Sequence, residues 1–287
     1  MIKLVVSDMD GTLLNKQSKI TEGNLKAIHM LQEKGIEFAI ASGRDYRGVY
    51  SIIHDYNLHC EAILGNGAQY VDEDGNVVMN CYMDKSVVER VTNIFVRENI
   101  PVMIFTTDGF YTPYDPTYVR NAFVERNIKR FDETADEYDE GGRFASSPCN
   151  HLIHFESYED LLNQDIEIIK VEAFCMDDTQ SQICHQQLKD IPQISYLSSF
   201  DDNCEVCDKN AQKGLILEKV IALKGLQKEE VAVLGDGMND LTLFERFPYS
   251  FTMENGEQAI KDLAYRIVND CEDDGFLDAV ENYIVKI

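Results

Sequence analysis

Tryptophan is absent from the 287 residues, proline occurs only 6 times, and 26 Lys and Arg face 51 Asp and Glu, a formal net charge of −25. So few cations exclude binding to nucleic-acid backbones or anionic lipid surfaces through a basic face, since both need clustered Lys and Arg. A chain this acidic also repels phosphorylated metabolites at long range. Any phosphate site must therefore bring its own positive charge, from a metal ion and a few placed cations. Long apolar runs are missing too, none approaching the roughly 20 residues of a membrane span. Neither a nucleic acid nor a membrane is expected as a partner.

Cysteine is dispersed rather than scarce. Eight cysteines, at 60, 81, 149, 175, 184, 204, 207 and 271, fall mostly in apolar surroundings. With no leader-like segment ahead of them, free thiols in a reducing cytoplasm are expected. Cys204 and Cys207 are the one close pair, but no second pair or histidine is spaced to complete a zinc site, so a structural role is expected. His151 and His154 likewise lack a metal-like partner set.

What is present begins at the N-terminus. Residues 2–6 form a short apolar run that reads as a buried strand, and it leads into Asp8-Met9-Asp10-Gly11-Thr12. In an α/β sheet, ligands sit beyond the carboxyl ends of the strands. Two carboxylates so close repel unless a cation neutralises them. Mg²⁺, which favours a few carboxylates together with phosphate oxygens, resolves that conflict. Gly11 supplies the backbone freedom for a tight turn there.

The rhythm continues as strand and helix in alternation. Thr21 caps a helix that stops at Gly35, residues 36–41 read as a strand, 45–56 as a helix and 62–64 as a third strand. The second and third strands end in Ser42-Gly43-Arg44 and Gly65-Asn66-Gly67. This is the doubly wound pattern. A hairpin around Gly75 follows, then mixed helix and strand with an acidic loop at 132–142. From about 212 the parallel rhythm returns: a helix opening with Lys213, a strand at 230–234, then Gly235-Asp236-Gly237-Met238-Asn239-Asp240. The expected architecture is an α/β, Rossmann-like core over 1–82 and 193–287, with an α+β module inserted at 83–192. Length alone suggests one large or two moderate domains.

Lys213 stands in the first turn of its helix, where the macrodipole disfavours a cation. That misplacement marks it for a task. Asp8 as nucleophile, Asp10 as acid and base, Lys213, and Asp236 with Asn239 form a coherent phosphoryl-transfer set. Mg²⁺ on Asp8 and Asp236 would screen an anion attacking an anion. Lys213, Ser42 and the amides near Gly43 and Met9 would bind the phosphoryl oxygens. Arg44 fits either a phosphate or a neighbouring surface acid. Asn66 fits the site or a turn, the turn being favoured. The basic cluster Arg126-Asn127-Ile128-Lys129-Arg130 reads as a solvated helix end in preference to a second anion site.

These residues resemble the haloacid dehalogenase-like hydrolase superfamily, and within it the Cof-type phosphatases with a C2 cap (subclass IIB). Asp8-Met9-Asp10-Gly11-Thr12, Ser42-Gly43-Arg44, Lys213-Gly214 and Gly235-Asp236-Gly237-Met238-Asn239-Asp240 look like its four motifs, in order. The resemblance implies Mg²⁺ on Asp8, the Asp10 carbonyl and Asp236, with Asp240 supporting from the outer shell. It also implies a mobile cap at 83–192 that selects the substrate. Two stretches depart from the pattern: Phe251-Thr252-Met253-Glu254-Asn255-Gly256 replaces a small-residue Asn-Ala segment, and Cys207-Asp208-Lys209-Asn210-Ala211-Gln212 lacks the Gly-Val-Ser lead-in. The expected activity is hydrolysis of small phosphorylated metabolites, sugar phosphates or phosphorylated cofactors. A phosphomutase, and a phospho-acceptor regulator with incidental turnover, use related chemistry. Asp10 disfavours the regulator, because a water-activating neighbour shortens the life of an acyl phosphate.

Overall fold

A computed structural model describes residues 1–142, 144–175, 178–197 and 203–287. The chain divides into two compact units, one formed by Met1–Asn80 with Ala211–Ile287, the other by Cys81–Asn210.

In chain order, the first unit contributes β1 (Leu4–Ser7), β2 (Glu37–Ala41), β3 (Glu61–Leu64), β4 (Gln69–Val71) and β5 (Val77–Asn80). The second unit holds β6 (Val102–Thr106), β7 (Phe110–Thr112), β8 (Leu152–His154), β9 (Ile168–Phe174), β10 (Ile194–Leu197) and β11 (Asn203–Asp208). The chain then returns to the first unit with β12 (Val231–Leu234), β13 (Tyr249–Met253) and β14 (Arg266–Val268).

The first unit is one eight-stranded sheet in the order β14-β13-β12-β1-β2-β3-β4-β5. Pairing is parallel from β14 to β3 and antiparallel through the β4–β5 hairpin. Every residue of β1 and β12 is buried. That is why these strands read as continuous apolar runs rather than alternating ones: parallel strands are covered on both faces. The helix Glu22–Glu33 starts where the Thr21 side chain accepts from the Asn24 amide, and buries Ala27, Ile28 and Leu31 against the sheet. Its chain reverses at Gly35, whose φ of +70° is left-handed.

The second unit is a six-stranded sheet in the order β10-β11-β9-β6-β7-β8, antiparallel except for β7 with β8. Its apolar face packs the helices Lys85–Arg97 and Asp178–Leu188 through Val88, Val91, Phe95, Cys184 and Leu188. Within the sheet lies a buried ion group. Lys170 Nζ is 2.7 Å from Glu205 and 3.0 Å from Glu172, and sits 4.5 Å from the Phe105 ring centre.

Sequence and structure differ at the end of the insertion. The sequence reading closes it at 192, near Pro192, but the second unit runs on through Asn210. The reason is strand pairing: β11 adds to β9 with Asn203 opposite Phe174, and β10 adds to β11. A strand's partner is not written in its own residues. The unit also begins at Cys81 rather than 83. The stretch 132–142 is not wholly loop, since Ala135–Tyr138 makes a 3₁₀ turn that buries Tyr138. Of the long helix Pro116–Phe131 the sequence reading places only the basic end. The helix starts by local chemistry alone, with Asp115 accepting from the Thr117 and Tyr118 amides and Pro at its first position. In the basic cluster Asn127 is buried and donates to the Tyr138 hydroxyl at 2.9 Å, while the Arg130 side chain lies outside the described residues.

All eight cysteines are free. Cys204 and Cys207 lie three residues apart on β11, so their side chains leave opposite faces of the sheet. His151 and His154 contact the backbone carbonyls of Ala145 and Tyr114.

Candidate active site

Register does most of the assembly. Ser7 of β1 stands opposite Leu234 of β12 and Ile40 of β2, and Ala41 of β2 stands opposite Ile63 of β3. Four parallel strands thus end at nearly one level. The Asp8 amide donates to the Leu234 carbonyl at 2.9 Å, which carries the alignment one residue past the strand. Asp8, Ser42, Asn66 and Asp236 emerge together at the carboxyl edge of the sheet.

Lys213 opens the helix Lys213–Lys224, and its side chain is completely buried. Nζ lies 2.6 Å from Asp8 Oδ1 and 2.6 Å from Asp240 Oδ1. The cation disfavoured by its own helix is held there by two carboxylates from elsewhere in the sequence. Burial works against the Lys213 charge, but Asp240 and Asp8 outweigh it and raise its pKa. Burial pushes the Asp8 carboxyl up to about 7, against the pull of Lys213 and with the repulsion of Asp240. Asp236 is held well above the usual carboxylate range by burial and then by Asp8 and Asp240. Three acids with one lysine leave an excess of negative charge, the electrostatic signature of a cation site.

The oxygens of Asp8, Asp236 and Asp240 lie within 4.8 Å of one another. Hard carboxylate donors in that number suit a small divalent cation such as magnesium. Their partners divide the set. Asp240 is fully used: Oδ1 takes Lys213 and Oδ2 takes the amides of Asp236 and Gly237 at 3.0 and 3.1 Å. Asp236 Oδ1 accepts from the Thr12 hydroxyl at 2.7 Å. The donor set therefore fits a metal on Asp8 and Asp236, with Asp240 steadying the loop behind them.

Gly11 makes this closeness feasible. Its φ is +78°, and a Cβ there would fall on the Asp236 carboxylate. The same loop is tied from the other side by Asn255, whose Nδ2 donates to the Gly11 carbonyl at 2.8 Å while its Oδ1 accepts from the Cys271 amide at 2.9 Å. Glu257 accepts from the Met238 amide, and its own amide donates to the Asp236 carbonyl. Asn255, inside the segment that departs from the pattern, thus braces the first motif, and Glu257 just beyond it braces the fourth. Neither Thr12 nor Asn255 was singled out for a role by sequence. Thr12 sat inside a motif already quoted, but Asn255 carries no local signal.

Ser42 and Gly43 close the other flank. Ser42 is 1% exposed, and its hydroxyl accepts from the Arg44 amide at 3.1 Å. A Cβ on Gly43 would come within 2.9 Å of Asn66 Oδ1, and Asn239 Nδ2 donates to that same oxygen at 3.3 Å. Asn66 is a turn residue, with φ of +58°, and it also links Gly43 to Asn239. Its side chain belongs beside the site, an outcome the turn reading did not favour. The Met9 side chain is buried in the core, while its carbonyl accepts from the amides of Thr12, Leu13 and Leu14.

The Asp10 side chain stands apart from the three clustered carboxylates. It is half exposed and pairs with Arg44, Nε to Oδ2 at 2.8 Å and Nη2 to Oδ1 at 2.5 Å. Arg44, for which the sequence left a phosphate and an acid open, pairs here with Asp10. The Asp10 main chain meanwhile bridges to Leu14.

Comparison with known proteins finds relatives over almost the whole chain. A family model described as haloacid dehalogenase-like hydrolase matches residues 5–280. The phosphatase YwpJ of Bacillus subtilis is 25% identical over 274 residues, 92% of this chain and 93% of that protein. The 5-amino-6-(5-phospho-D-ribitylamino)uracil phosphatase YwtE, also of B. subtilis, is 24% identical over 280 residues, 96% of this chain and 95% of its own. A solved haloacid dehalogenase-like hydrolase from B. subtilis superposes with a TM-score of 0.86 at 23% identity, covering 99% of this chain and all of that one.

Proposed function

The chain belongs to the haloacid dehalogenase-like hydrolase family, and on that premise we propose that it is a magnesium-dependent phosphatase of small phosphorylated metabolites, working through an aspartyl phosphate on Asp8. The observation that carries the reading is the burial of Lys213 between Asp8 and Asp240, with the Asp236 carboxylate alongside. Three carboxylates whose oxygens lie within 4.8 Å of one another at the ends of parallel strands, with one lysine among them, have the make-up of a cation site.

Asp8 and Asp236 are the residues to hold the metal, which when bound supplies the positive charge that lets a carboxylate approach a phosphate ester. An Asp8 oxygen then forms a bond to phosphorus as the ester P–O bond breaks, and the Asp10 carboxyl gives its proton to the departing alkoxide. In the second half a water oxygen bonds to phosphorus, its proton passes to Asp10, and the bond to Asp8 breaks. Inorganic phosphate leaves, and both aspartates regain their starting states. Lys213 keeps Asp8 oriented and balances charge as the phosphoryl group spreads its own over three oxygens. Ser42, Gly43 and Asn239 line the flank where those oxygens would be received. The substrate class rests on the relatives, one of which is named for a phosphorylated ribityl compound.

The test is a panel of sugar phosphates and phosphorylated cofactors incubated with the protein and Mg²⁺, reading phosphate release and product identity. Release that depends on magnesium supports the reading. Isomerised phosphate without release would make the protein a phosphomutase, and a phosphorylated Asp8 surviving for minutes would make it a phospho-acceptor.

A further inference from the structure

Arg44 is tied at every end. Its amide donates to Ser42 Oγ at 3.1 Å, its carbonyl accepts from the Gly65 amide at 2.8 Å, and Nη1 donates to the Gly48 carbonyl at 3.2 Å. Nε and Nη2 donate to the two oxygens of Asp10, at 2.8 and 2.5 Å. A bidentate guanidinium–carboxylate pair fixes both position and plane, which a lysine at the same place cannot do. The anchor matters because Asp10 is itself half exposed, with 49% of its side chain open to solvent. A short acid so exposed samples several rotamers unless something holds it.

We infer that Arg44 is the positioning residue for Asp10, holding its carboxyl in the one orientation from which it exchanges a proton with the leaving group. This rests on the phosphatase reading above. Each carboxylate oxygen has two lone pairs, and the fork occupies one on each. The others stay open, so Asp10 can bear a proton for the departing alkoxide or accept one from water without leaving Arg44. Fixing that geometry is worth rate rather than affinity, since orientation of a catalytic group acts on the reacting complex.

The role has a signature that a merely structural arginine lacks. Proton donation matters for a poor leaving group such as an alkoxide and hardly at all for p-nitrophenolate, which departs without help. The experiment compares Arg44→Lys and Arg44→Gln with the wild type on an alkyl phosphate from the panel and on p-nitrophenyl phosphate, both with Mg²⁺, after thermal melts establish that the variants fold. Using kcat/KM confines the comparison to the first half-reaction. The expected loss is about 10- to 100-fold in kcat/KM for the alkyl ester, carried by kcat, and within about threefold for the aryl ester. In the Asp10→Asn background, removing Arg44 should change the alkyl rate by no more than about twofold, because the group it positions is already gone. Equal losses on both esters, a full additional loss in the Asp10→Asn background, or unchanged alkyl rates would each overturn the assignment. A wild-type protein that cleaves neither ester overturns the phosphatase reading and this inference with it, whereas an active wild type with leaving-group-blind variants overturns this inference alone.

Discussion

The ammonium of Lys213 lies 2.6 Å from Asp8 Oδ1 although 205 residues separate the two in sequence. The lysine side chain has no exposed surface. An ion pair so deep is favourable only when geometry and further hydrogen bonds offset desolvation, and Asp240 provides the second partner here. Lys213 and Asp8 therefore depend on each other for charge, and the consequences can be measured.

Asp8→Asn preserves size and removes the attacking carboxylate. Turnover of the best substrate in the panel is expected to fall by at least about 10³-fold, as for loss of a covalent nucleophile. The fold should persist, read by an unchanged far-ultraviolet spectrum. Retention of a tenth of the wild-type rate would remove Asp8 from the role of nucleophile.

Proton and metal should compete at the same carboxylates. In the folded, metal-free protein the Asp8 carboxyl is raised from 3.8 to about 7. Between those values the folded state binds more protons than the unfolded chain, so the Asp8 contribution to stability is full below the lower value and is lost as pH rises through the upper. Binding of Mg²⁺ requires the proton to leave. Apparent affinity should climb as pH rises toward neutrality, by up to about tenfold per pH unit for each proton displaced. Calorimetric titration with MgCl₂ across that range checks this, and a flat profile on the acid side would contradict it.

Gly11→Ala places a methyl against Asp236 at a residue whose φ is +78°. The left-handed backbone alone costs about 1–2 kcal/mol for a residue with a Cβ. Pushing Asp236 aside should also weaken Mg²⁺ binding. The variant should melt several degrees lower and need more Mg²⁺ for half-maximal activity, about tenfold or more if one metal ligand is displaced. Wild-type values of both would mean the loop accommodates the methyl without moving Asp236.

Lys170→Met removes the ammonium that Glu205 and Glu172 share in the second unit. Loss of one partner from a buried ion group costs roughly 3–5 kcal/mol, while replacing the group by apolar residues costs much less. Urea denaturation should show that penalty for Lys170→Met and recover much of it in Lys170→Met with Glu205→Leu. A double variant no more stable than the single one would mean that Lys170 stabilises by packing on Phe105 rather than by pairing.

Local chemistry determined a great deal of this protein. Apolar runs ending in Asp8, Ser42, Asn66 and Asp236 announce parallel strands with polar tips, because a strand covered on both faces admits little else. The misfit of Lys213 at a helix start pointed to partners before any were visible. Tertiary structure decided what depends on long-range pairing. Whether residues 193–210 joined the core or the insertion was settled by β11 lying against β9, and backbone pairing does not require a particular side chain. That Arg44 meets Asp10, and that Asn66 meets Asn239, depended on where neighbouring strand ends came to rest. Asn255 joins Gly11 to Cys271 across a loop with no signature of its own, since a hydrogen bond between distant segments exists only once the sheet has placed its partners.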